Sequence, residues 1–172
     1  MKGPVTLPGL TTGVALCLVV APAANRMTRA AEVELTAAQS DYLEQCGGCH
    51  GIQGTTAPAP VPVLKARAGY FMCTEAGRRY LIRLPNVSNA RVDDQSLADM
   101  MNFVVFDLGA PTAPANARPF TAGEVGELRS HPMFGFEVVD IRKPVVEEII
   151  RSCGAPADLR LTYPGEQPDK IR

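Results

Sequence analysis

The chain has 172 residues, 46% of them hydrophobic, with 17 Lys+Arg against 18 Asp+Glu. So even a balance is at odds with a nucleic-acid binder, which carries a strongly basic face, and the length suits one domain with extensions or two very small ones. Two His exclude a zinc site built on several histidines, no Trp and 6% aromatics make a thin aromatic core, and 15 Pro, about 9% against a usual ~5%, keep helices from filling the chain.

Lys2 is the only charge before Arg26. Residues 7–24 are apolar or small, and Ala21-Pro22-Ala23 puts small residues where a signal peptidase reads. Residues 1–24 are therefore expected to be a cleaved export signal. Pro8, Gly9, Gly13 and Pro22 leave the run marginal for the ~20 apolar residues of a membrane span, so a membrane is expected only if the signal stays as an anchor. Cleavage removes Cys17 and leaves four cysteines in an oxidising, periplasmic compartment.

Thr36 is placed to cap a helix running through Tyr42 into Cys46, and these two, four apart, share a face. Residues 47–62 are Gly, Thr, Ala and Pro for the most part and read as a loop. A short helix is expected from about 76 to 82, closed by Pro85, which pushes Leu84 out of helical geometry. Asp93 or Asp94 starts a second helix, on which Leu97, Met100, Met101, Val104, Val105 and Leu108 recur at spacings of three and four. Gly109 and Pro111 stop it. Residues 110–119 (APTAPANARP) form a linker. Thr121 and Glu124 make a capping box for a helix over 122–129. Another is expected from Pro144 to Cys153, and the last dozen residues are polar. The expected fold class is all-α.

The chemistry lies in Cys46-Gly47-Gly48-Cys49-His50, the C-x-x-C-H signature of c-type haem attachment. Two thiols three apart at the end of a helix can reach the two vinyl groups on one porphyrin edge, and the next residue aims its imidazole at the iron. Glycines between them let the backbone lie close to the macrocycle. A thioredoxin-like redox pair would follow a strand and open a helix. A zinc site would need a second ligand pair, and Cys73 with Cys153 is not a C-x-x-C.

On these residues, with Gly51 and the Pro62-Val63-Leu64 stretch, residues 35–109 resemble a class I-type monohaem cytochrome c domain of the small bacterial kind. The helix over DQSLADMMNFVVFDL resembles the last helix of that family. The resemblance implies a helical haem domain at 35–109, with 110–172 as a C-terminal helical or irregular extension packed on it. One haem c would be held by thioethers from Cys46 and Cys49, His50 would be the proximal iron ligand, and the Pro62 carbonyl would accept the other imidazole N–H. The family's usual loop methionine is missing, with Val87 near its place. Met100, Met101 and Met72 are the candidate sixth ligands, His131 or Met133 could fold back from the tail, and an open iron is the alternative.

Cys73 and Cys153 remain, and in an exported protein they are expected to pair; Cys73 as an unusual iron ligand, or two free thiols, are the alternatives. Lys65, Arg67, Arg78, Arg79, Arg83 and Arg91 stand against Glu75 alone, which reads as a docking face for an acidic redox partner or as an ordinary solvated surface. A single haem with no evident acid–base pair points to an electron carrier and not an enzyme. The resemblance implies partners such as a periplasmic dehydrogenase, with quinone-cofactor amine or alcohol dehydrogenases as typical examples. A haem subunit of a larger complex, or a small-ligand sensor, is the rival.

Overall fold

The structure is a computed structural model that describes residue 3, residues 34–55, residue 59 and residues 61–162. The expected export signal, Gly3 apart, and the end of the polar tail lie outside the described residues. Among these, every regular element is helical, and the fold is all-α.

Helix α1 (Ala37–Tyr42) begins at a reciprocal cap. Thr36 Oγ1 accepts the Gln39 N–H at 3.2 Å, and Gln39 Oε1 accepts the Thr36 N–H at 2.9 Å. The helix does not stop at Cys46. It widens into a π-type turn, Leu43–Gly47, and ends as α2 (Gly48–His50), so the first residues of the expected loop are helical. Both intervening glycines keep right-handed helical dihedrals, and the Gly51 N–H closes on the Gly47 carbonyl at 2.8 Å. Gly51, at φ 72°, then breaks the run.

A 3-10 segment, Ala68–Cys73, leads to α3 (Glu75–Arg83), whose cap Thr74 accepts the Gly77 N–H at 3.0 Å. Leu84 turns extended before Pro85, as the sequence predicts, but Pro85 then opens a further helical turn, α4 (Pro85–Ser88), where a loop is expected. Proline suits a first helical position because its missing N–H would have no partner there. Helix α5 (Asp94–Asn102) starts where Asp93 Oδ1 accepts the Ser96 N–H at 2.8 Å and runs on through a second π-type turn, Phe103–Leu108. Helix α6 (Ala122–Arg129) follows the Thr121 cap.

Helix α7 (Val138–Cys153) departs from expectation by starting well before Pro144. Pro144 cannot donate to the Asp140 carbonyl, but Asp140 is exposed, where water can serve that oxygen. Val138 and Ile141 pack against the core and draw the extra turn in.

Helix α5 is the centre of the core. Leu97, Ala98 and Met100 are fully buried, and α5 packs on α1 and α6. Full burial of a side chain such as Leu97 contributes about 2 kcal/mol. Helix α3 packs against the 68–73 segment, α6 and α7. The described residues from Glu34 on, those of the expected haem domain and of the extension alike, fall in one compact unit. Cys73 and Cys153 form a disulfide across 80 residues, with a Cα–Cα distance of 6.4 Å, tying the end of α7 to the 68–73 segment.

Candidate haem site

The helical run through α2 carries Cys46, half-buried, and Cys49, exposed, and both thiols are free. Burial, reinforced by the neighbouring Cys49, pushes the Cys46 thiol up to about 11. Among the described residues, the His50 imidazole is held on one side. Its Nδ1 lies 3.0 Å from the Pro62 carbonyl oxygen, which can only accept, so Nδ1 carries the proton. Nε2 is thereby the unprotonated nitrogen. Burial lowers the His50 pKa and the Pro62 contact opposes that only in part, which favours the neutral, metal-binding form.

Two local contacts set this geometry. The Tyr42 hydroxyl donates to the Gly51 carbonyl at 2.7 Å and ties the turn after His50 back to α1; burial pushes this phenol up to about 12. The Gly54 carbonyl accepts the N–H groups of Leu64 and Lys65 at 2.8 and 3.0 Å, folding the loop back so that Pro62 meets His50. Gly54 adopts φ +68°, and a Cβ there would come within 3.1 Å of Leu64 Cβ, so the turn requires glycine.

The donor set fits a covalently attached haem: two free thiols three residues apart, then an imidazole whose orientation and tautomer are fixed. It does not fit zinc, because Cys73 and Cys153 are consumed by each other, and no group of three or more His, Cys, Asp or Glu suited to a metal occurs among the described residues. It does not fit a thioredoxin-like pair either, since Cys46 and Cys49 lie at the end of a helical run and no strand precedes them among the described residues.

Two cytochromes c-552 of Thermus thermophilus are similar to this chain. One is 28% identical over 130 residues, 63% of this chain and 88% of that protein. The other is 27% identical over 117 residues, 58% of this chain and 89% of that protein. The chain is a c-type cytochrome. No protein-family model matches it. The cytochrome is an electron-transfer protein and not an enzyme, and its cofactor is covalently bound haem c. No helix among its described residues is long and apolar enough to cross a membrane.

The other residues singled out in the sequence are scattered. Met72 is buried with its sulfur 4.0 Å from Arg78 Nη1, on the side where residues 118–124 pack. His131 is exposed, its Nδ1 2.9 Å from Ser130 Oγ. Met133 is buried, with its N–H bonded to the Arg83 carbonyl at 2.8 Å. Met100 and Met101 are buried on the apolar stripe of α5, and Val87 lies half-buried in α4.

The basic segment is less uniform than its sequence. Arg78 is not available to a partner. It is 5% exposed, forms a bidentate pair with Glu124, from Nε to Oε1 at 3.0 Å and from Nη2 to Oε2 at 2.7 Å, and lies over the Phe120 ring at 4.5 Å. Arg67 pairs with Asp158 at 3.1 Å, and Arg83 Nε donates to the His131 carbonyl at 2.7 Å. Lys65, Arg79 and Arg91 remain exposed, with side chains that make no ion pair among the described residues. Sequence reasoning overlooked the roles of Tyr42 and Gly54. The position of Tyr42, four before Cys46, was legible; the carbonyl it reaches was not.

Proposed function

We propose that this cytochrome is a class I-type, monohaem carrier that works in the periplasm. It takes single electrons from an exported dehydrogenase, of the quinone-cofactor kind that oxidises amines or alcohols, and passes them to a downstream acceptor. The observation that carries this is the single CGGCH followed by a His50 ring held at Nδ1 by Pro62, with the Cys49 thiol exposed. Bound haem supplies a one-electron couple, and the chain sets its environment and partner access. Lys65, Arg79 and Arg91 offer a positive surface for an acidic partner, acting through encounter rate more than affinity.

A redox titration of the purified protein is expected to follow a one-electron curve with one haem per chain; a two-haem stoichiometry would overturn the monohaem reading. Reduction rates by such a dehydrogenase should fall as ionic strength rises, and a flat profile would remove the steering role.

A second reading is an open iron that binds small ligands, in a sensor or in a haem subunit of a larger complex. It is favoured by Val87 in α4 and by the engagement of the Met72 sulfur with Arg78. Rapid CO binding to the ferrous protein supports it. No CO shift, with the weak far-red band of a Met-ligated ferric haem, supports the carrier with a methionine of α5 as sixth ligand.

A further inference from the structure

The stretch from the last residue of α4 to the start of α5 has almost no regular structure of its own, yet its carbonyls are gathered by one side chain from the C-terminal extension. Arg129, at the end of α6, donates from Nε to the Ser88 carbonyl at 3.0 Å, from Nη2 to Ala90 at 2.7 Å and from Nη1 to Val92 at 2.9 Å. Nη1 also reaches Asp94 Oδ1 at 3.2 Å, at the start of α5. The same segment touches the haem-attachment helix, since the Arg91 N–H donates to Gln45 Oε1 at 3.1 Å, one residue before Cys46. A continuous path of hydrogen bonds thus runs from the extension, through 88–92, to the residue preceding the first thioether position.

We propose that Arg129 is a positioning residue for the haem: by holding 88–92 against Gln45, it makes the extension a determinant of haem environment and small-ligand access. The guanidinium suits this task because its rigid fork of donors serves three carbonyls spread over five residues. A lysine, with one nitrogen, cannot reach all three. Potential and ligand access in haem proteins follow from burial and the walls of the pocket, and a freed 88–92 segment lets solvent in beside Cys46. The inference rests on the covalent haem read above. Wild-type protein without thioether-bound haem would defeat that reading, whereas the outcomes below concern Arg129 alone.

The test compares R129A, R129K and Q45A with wild-type holoprotein. The readouts are midpoint potential, Soret circular dichroism and the rate of imidazole binding to ferric haem. R129A is expected to keep its covalent haem, shift the potential, alter the Soret signal and bind imidazole severalfold faster. Q45A should change all three in the same direction, and the double variant should add little to R129A. E124Q, which weakens another contact of the extension, should lower stability and leave the three readouts alone. If R129A does not accumulate, R129K and Q45A decide by the same criteria. Wild-type potential, Soret signal and imidazole rate in these variants overturn the proposal, as do equal shifts in E124Q.

Discussion

The haem-attachment segment and the C-terminal extension differ in the reach of their contacts. Apart from Gln45, whose Oε1 accepts the Arg91 N–H 46 residues on, the side-chain hydrogen bonds that shape the CGGCH segment and its flanks are short-range: Thr36 meets Gln39 three residues on, Tyr42 meets Gly51 nine on, and His50 meets Pro62 twelve on. The extension is held by Arg78 and Glu124, 46 apart, by Arg129 and Ser88, 41 apart, and by Cys73 and Cys153, 80 apart. Short loops cost little entropy to close, so the first set can form from nearby chain alone. The second set needs the fold to exist before any partner is within reach. The chemistry is thus written locally, while the scaffold around it is held by long-range polar clamps.

The sharpest way to break this contrast is at the local end. In C46A/C49A the haem should be wholly extractable by acidified organic solvent, whereas wild type retains it; retention by the double variant would mean another attachment site. Next comes the longest clamp. C73S/C153S should lose about 4 kcal/mol in denaturant unfolding, the loop-entropy value for a closure of this length, while keeping its covalent haem. Third, R78A should cost about 3 kcal/mol by leaving Glu124 and the Arg118 carbonyl without their partner, again with haem retained. A loss of haem attachment in either variant would show that the two regions are not separable.

Smaller effects are expected at helix starts. T74A should lose about 1 kcal/mol as the Gly77 N–H loses its acceptor, seen as a lower denaturation midpoint with unchanged slope. The Asp93 carboxyl is held below its ordinary value of 3.8, first by the Ser96 backbone N–H. Its depressed folded pKa means a contribution that is whole above about 3.8 and lost as pH falls below it. The stability gap between wild type and D93A should therefore be constant near neutrality and close in acid; a gap that widens in acid would reverse the assignment.

Much of the α-helical layout was legible because its signals are local. The Leu97-to-Leu108 stripe, the Thr121–Glu124 cap and the Pro85 stop each lie within a few residues of what they specify, and α5, α6 and the end of α3 appear where they point. The start of α7 was not legible. Pro144 is a strong breaker by itself, and only the packing of Val138 and Ile141 on the core outweighs it. The basic segment misled for a related reason: a run of arginines says nothing of the Glu124 carboxylate and Phe120 ring that bury Arg78.

By itself, then, the sequence determined the chemistry. CGGCH names the cofactor and its attachment, because thiols three apart and the histidine after them need only one turn of helix to be brought together. Only the tertiary structure decided which arginines face solvent, that Met72 lies against Arg78, and that Arg129 gathers the 88–92 carbonyls beside Gln45. The buried Arg78 and the Arg129 clamp depend on residues some 40 positions apart meeting in a packed core, and the Met72 contact follows from that burial of Arg78; no spacing within the chain encodes that meeting.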